Sequence, residues 1–101
     1  MAEYIKVCKL AEIPEDAGKL VEADGSEIAL FRNQGEVYAV HNICPHAGGP
    51  LSEGGIREGQ VICPWHGWEF NLRTGACAFN PVIKVPVFKV KVEDDDVWVK
   101  P

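Results

Sequence analysis

A chain of 101 residues holds one ordinary domain and is too short for two. Hydrophobic residues make up 47% and charged residues 25%, the composition of a folded globular protein rather than a disordered one. The formal net charge of −5 argues against nucleic acid, whose phosphates call for a basic face, and suits docking onto a basic protein surface.

Taken in chain order, the pattern is strands and turns. The opening residues lack the apolar stretch of a secretion signal, and no apolar run approaches the roughly 20 residues that span a bilayer. A cytoplasmic, reducing setting is therefore expected, with no membrane partner. Residues 4–9 alternate and predict a strand. Residues 11–16 predict a loop, with Pro14 blocking a strand and Gly18 closing the turn. Residues 19–23 and 26–32 predict two strands joined at Asp24-Gly25, a strong hairpin signal. A third strand is expected over 35–41, entered through Asn33-Gln34-Gly35. Residues 85–92 and 97–100 predict a last hairpin around the acidic run 93–96, read as a solvated turn.

The stretch 42–80 is different: rich in Gly, Pro, Cys, His and Trp, it holds two of the three histidines. Long loops in a small domain usually carry function. No segment shows sustained helical periodicity. The expectation is an all-β single domain over 1–101, an antiparallel sandwich or barrel base with a loop-rich subdomain at about 42–80 inserted between its strands.

That insert contains Cys44-Pro45-His46, then 16 residues, then Cys63-Pro64-Trp65-His66. Two soft thiolates and two ring nitrogens suit zinc or an iron–sulfur cluster. Zinc sites usually pair Cys with Cys and His with His, which a Cys-x-His half followed by a Cys-x-x-His half fits poorly. A zinc-stabilised interaction module nonetheless stays open on spacing alone.

The segment from Cys44 to His66 resembles the C-x-H-x₁₆-C-x₂-H signature of Rieske proteins, and the similarity runs on through residues 45–51 and 63–75. The flanking strands are similar to the small Rieske ferredoxins of bacterial aromatic-ring-hydroxylating dioxygenase systems. The resemblance implies one [2Fe–2S] cluster per chain, with Cys44 and Cys63 on one iron and His46 and His66 on the other. Two thiolates and two neutral imidazoles leave the oxidised cluster formally uncharged, so it accepts an electron more readily than a four-thiolate cluster. Gly48, Gly49 and Gly67 would let backbone N–H groups approach the sulfurs, and Pro45 and Pro64 would stiffen the loop tips.

High-potential members of the family carry a disulfide between the loops, at positions held here by Gly49 and Trp65. They also carry hydroxyls near the sulfurs, at positions held here by Trp68 and Phe70. Their absence implies a potential at the low end of the Rieske range, roughly −150 mV. Oxygenase catalytic subunits add an iron held by two histidines and a carboxylate, and His41 alone cannot build that site. The resemblance thus implies an electron-transfer component, not an enzyme, passing electrons from a flavin reductase to a terminal oxygenase through transient contacts. The small subunit of an NAD(P)H-dependent nitrite reductase is the alternative.

Other residues carry lesser expectations. Trp65 and Trp68 wall the cluster or fill the subdomain core. Residues 79–81 resemble the proline loop that covers the cluster. Leu51 anchors the first loop by burial, and with Pro50, Trp65 and Pro81 it would also form the apolar centre of a docking tip. Cys8 reads as a small buried apolar residue on a strand, Cys77 as partly exposed, and His41 as structural.

Overall fold

Four two-residue turns set the register of the fold. The computed structural model describes residues 3–45, 48–65 and 67–101. Within it Asp24-Gly25, Gln34-Gly35, Glu58-Gly59 and Asp94-Asp95 all have positive φ at both positions. That backbone matches the right-handed twist of the strands a tight hairpin joins. These turns connect β2 (Gly18–Ala23) to β3 (Ser26–Asn33), β3 to β4 (Glu36–His41), β5 (Ile56–Arg57) to β6 (Gln60–Ile62), and β8 (Val87–Glu93) to β9 (Asp96–Lys100). The remaining strands are β1 (Ile5–Lys9) and β7 (Glu69–Asn71).

Three of the four turns place glycine second, and the fourth places Asp95, at φ 66°. A side chain there strains the backbone, although aspartate tolerates it better than most. Asp95→Gly is therefore expected to stabilise the protein by about 0.5–1 kcal/mol. A thermal melt should show the midpoint rising by about 2–8 °C.

Six strands form one sheet in the order β1-β9-β8-β4-β3-β2, each neighbouring pair antiparallel. The two edges, β1 and β2, approach one another, so the sheet nearly closes. This is the all-β antiparallel base expected. A second, three-stranded antiparallel sheet, β5-β6-β7, lies within the stretch expected to be mainly loop. Its strands are only two or three residues long, too short to show a period of two.

Two other details differ from expectation. Leu10–Glu12 form one 3₁₀ turn, closed when Ile13 N–H donates to the Leu10 carbonyl and tied down where Leu10 N–H donates to the Asp95 carbonyl. Gly18 is the first residue of β2 rather than the close of a turn, because its pairing with Phe31 starts the ladder early.

The run Ile28-Ala29-Leu30-Phe31 does not alternate, and all four residues are buried. Ile28 and Leu30 face a core inside the six-stranded sheet with Ile13, Ala39, Val97 and Val99. Ala29 and Phe31 face a second core with Val40, Leu51, Val61, Phe70 and Val85. β3 is thus a wall buried on both sides, the small sheet packing against its outer face. No helix among the described residues is long and apolar enough to cross a membrane.

Candidate metal centre

Three loops at this outer core share one hydrogen-bond frame. In the first, Cys44 N–H donates to the Gly49 carbonyl (2.9 Å) and Gly48 N–H donates back to the Cys44 carbonyl (2.8 Å). In the second, Cys63 N–H donates to Trp68 (2.7 Å) and Gly67 N–H to Cys63 (3.0 Å). In the third, Asn71 N–H donates to Ala76 (2.9 Å) and Gly75 N–H to Asn71 (2.7 Å). Antiparallel pairs close each loop from outside: Ile43 with Pro50, Ile62 with Glu69, Phe70 with Cys77. The fifth residue of each frame is a glycine with φ between +74° and +81°, a region that penalises any Cβ.

Cys44 and Cys63 are therefore equivalent: each opens its frame, each precedes a proline, and each is 1% exposed. Both belong to the outer core, and neither is in a disulfide. The two frames touch. A methyl group built on Gly49 would lie 2.9 Å from Trp65 Cγ and 3.0 Å from Cys63 Sγ. The indole of Trp65 thus lies against the first loop where the sequence comparison with high-potential members places a disulfide. Packing of Trp65 on Gly49 brings the two loops together. The donor set fits an iron–sulfur group on its sulfur side: two soft thiols, shielded from water, on two loops in contact. His46 and His66, the other two expected ligands, lie outside the described residues.

The surrounding residues sort clearly. Phe70 is fully buried, while half-buried Trp68 meets the Phe79 ring edge-on at 6.1 Å between centroids. Leu51 is fully buried and anchors the first loop as expected, but for the same reason it cannot line a docking tip. Of the other expected tip residues Trp65 (57%) and Pro81 are exposed and Pro50 is half-buried, and Phe79 (64%) and Val82 (86%) join them, with Ile43 beside Cys44. Cys77 is buried, not partly exposed: its N–H donates to the Ile83 carbonyl and it pairs with Phe70 inside the core. Cys8 is half-buried on β1 against the inner core. Burial, reinforced by the Glu12 carboxylate and opposed by Lys19, pushes its thiol pKa up. His41 ends β4, its backbone N–H donating to the Pro86 carbonyl.

One important residue escaped the sequence reading. Asn42 is 3% exposed and pins the base of the first loop. Its Nδ2 donates to Glu27 Oε1 (3.2 Å), and its Oδ1 accepts from Ser52 N–H (2.8 Å). Its backbone bonds Glu27 and Leu51. Asn42→Ala should leave the Ser52 N–H without its acceptor and destabilise the protein by about 2–3 kcal/mol. Urea denaturation measures the loss, and faster hydrogen exchange at the Ser52 amide would locate it.

With this geometry in place, the comparisons with known proteins are specific. Residues 3–91 match the family model of the Rieske [2Fe–2S] domain. The ferredoxin component of the naphthalene 1,2-dioxygenase/salicylate 5-hydroxylase systems of Ralstonia sp is 34% identical over 98 residues, covering 96% of this chain and 94% of that protein. Human apoptosis-inducing factor 3 is 35% identical over 95 residues, yet the chain spans only 16% of its length. Among solved structures, the ferredoxin of carbazole 1,9a-dioxygenase from Nocardioides aromaticivorans IC177 superposes with a TM-score of 0.90 at 31% identity, covering 97% of each chain. A Mycobacterium tuberculosis chain assigned as an NADH-dependent nitrite reductase small subunit does so equally well, at 31% identity over 100% of this chain and 96% of that one. The match of family model, sequence and fold along almost the whole length shows that this chain belongs to the Rieske [2Fe–2S] domain family.

Proposed function

We propose that this chain is a one-electron carrier whose [2Fe–2S] cluster is held by Cys44 and Cys63 on one iron and by His46 and His66 on the other. The observation that carries this reading is the pair of equivalent buried thiols opening two matched loops in contact. When bound, such a cluster supplies reversible one-electron redox chemistry. The chain's own part is to keep water from the sulfurs, through the core around Cys44 and Cys63, and to hold the loops together through Trp65 on Gly49. Neither Trp68 nor Phe70 has a hydroxyl to donate toward the sulfurs, so a hydroxyl-to-sulfur bond that would stabilise the reduced state is missing. A midpoint potential near the low end of the family range, roughly −150 mV, follows.

The names of the relatives matched along their length support a ferredoxin role in a dioxygenase system, delivering electrons to a terminal oxygenase, while a flavin reductase as the donor rests on the family resemblance. The exposed apolar residues Trp65, Phe79 and Val82 offer a small contact surface beside the loops, suited to transient electron-transfer docking. The nitrite reductase match favours a second reading, a small subunit bound to a larger enzyme. Iron and acid-labile sulfide analysis, EPR of the reduced protein and voltammetry test the carrier. The expected result is a Rieske-type signal with a negative midpoint potential; a midpoint well above 0 mV contradicts the argument from Trp68 and Phe70. Purification from the native host separates the roles, since a carrier is isolated alone and a subunit with a large haem-containing partner. Colourless protein containing zinc would point instead to the interaction module.

A further inference from the structure

One face of the six-stranded sheet concentrates positive charge in an otherwise acidic chain. On β1, β9 and β8, Lys6 pairs with Trp98, Trp98 with Lys91, and Lys100 with Lys89, while Val97 and Val99 between them are buried in the inner core. The lysines and Trp98 therefore point outward. With Lys9, opposite Asp96, five of the chain's seven lysines lie on these three strands. Elsewhere the basic residues are mostly matched by acids: Lys19 by Glu12, Arg32 by Glu15, Arg57 by Glu69 and Arg73 by Glu36. On this face Lys6 and Lys9 share Asp96, and Lys91 meets Glu93. Among the described residues, Lys89 and Lys100 form no ion pair.

Those two lysines are direct cross-strand partners. Like charges directly opposite one another destabilise an antiparallel pair, so folding gives no reason to hold them there. Beside them is an aromatic floor. Lys91 Nζ lies 4.8 Å from the Tyr4 ring centroid and 5.5 Å from that of Trp98, and Lys100 Nζ lies 5.9 Å from Tyr4. Tyrosine and tryptophan framed by cations make an interaction surface more than a solvated one. The face is also placed to matter. β8 begins next to Pro86, whose carbonyl accepts the His41 N–H at the end of β4, from which the Cys44 loop departs. Lys89 and Lys100 thus sit toward the cysteine-loop end of the sheet, and the Asp94-Asp95 turn at the far end.

We infer that this face binds an acidic segment of a partner protein, its carboxylates meeting Lys89, Lys91 and Lys100 and its apolar side chains resting on Tyr4 and Trp98. This contact is separate from the apolar tip and stands whether or not the electron-carrier reading holds. A long polyphosphate is the poorer fit. Extended along the strands it would run on past the basic end to meet Glu93, Asp94 and Asp95 at the far turn. A short acidic peptide covers the basic end alone.

The test is an NMR titration of the intact protein, in parallel, with a short polyglutamate peptide, a polylysine peptide, duplex DNA and phosphatidylserine vesicles. The expected result is that polyglutamate shifts the amide signals of Tyr4, Lys89, Lys91, Trp98 and Lys100, with affinity falling as salt rises. Lys89→Gln combined with Lys100→Gln should weaken that binding about tenfold. The same variant should melt no lower than the parent, because it removes a repulsion. The inference is overturned if polyglutamate leaves these signals unmoved or if the double variant binds as well as the parent. Tighter binding of DNA or vesicles at the same residues overturns it as well.

Discussion

Cys63→Ser should yield colourless protein, with iron and acid-labile sulfide at background and no EPR signal after reduction. The reason lies in position as much as chemistry. Cys63 is 1% exposed, opens the second loop frame and lies next to Gly49 of the first. A serine hydroxyl is a harder donor that stays protonated at neutral pH, so it cannot replace a thiolate on iron. Since metal binding and folding are coupled, the loss should also lower stability by about 3 kcal/mol, or about 12–24 °C in melting temperature. Cys77→Ser is the control. It lies in the same core with similar burial but opens no frame. It should keep its iron and sulfide while losing some stability to the buried hydroxyl. Retention of full iron, sulfide and signal by Cys63→Ser would remove Cys63 from the ligand set.

The second large effect is expected at Gly75, where alanine should cost about 2–5 kcal/mol. Two penalties coincide. The residue has φ +81°, where any Cβ is strained, and the added methyl would run into the Val85 carbonyl oxygen, with Val87 Cγ1 at 3.1 Å. That carbonyl cannot retreat freely, because Val85 N–H donates to the Gly75 carbonyl (2.9 Å) and the Val85 side chain is buried in the outer core. Gly25 separates the two effects: it has the same φ but nothing within 4 Å of the added methyl. Gly25→Ala should therefore lose only about 1 kcal/mol. Urea denaturation of both variants measures the difference, and equal losses would show that the collision is relieved.

Much of the base was legible because it obeys local rules. Alternation marked β1, the acidic run marked the β8–β9 hairpin, and Asp24-Gly25 marked the β2–β3 hairpin within a residue at each end. The small sheet was not legible, since strands this short leave no periodic signal. Cys77 was misjudged because it follows Thr74-Gly75 and so resembles a surface turn. Gly75 in fact ends the loop, and the chain re-enters the core at once by pairing Cys77 with Phe70. Asn42 was invisible because nothing in composition separates a buried bridging amide from an ordinary loop asparagine. The motif named Cys44 and Cys63, but the contact between their loops through Gly49 and Trp65 depends on tertiary packing no spacing encodes.

The recurrence of one backbone frame at residues 44–49, 63–68 and 71–76 has an evolutionary consequence. Each frame closes on main-chain bonds and a glycine, and the third adds its own side-chain bonds, with Arg73 and Thr74 N–H donating to Asn71 Oδ1 and Ala76 N–H to Thr74 Oγ1. The third copy supports Leu72 in the core and presents Arg73 to solvent, without a cysteine at its head. Redox function in such a chain is a cassette written onto a scaffold that does not need it to close its loops.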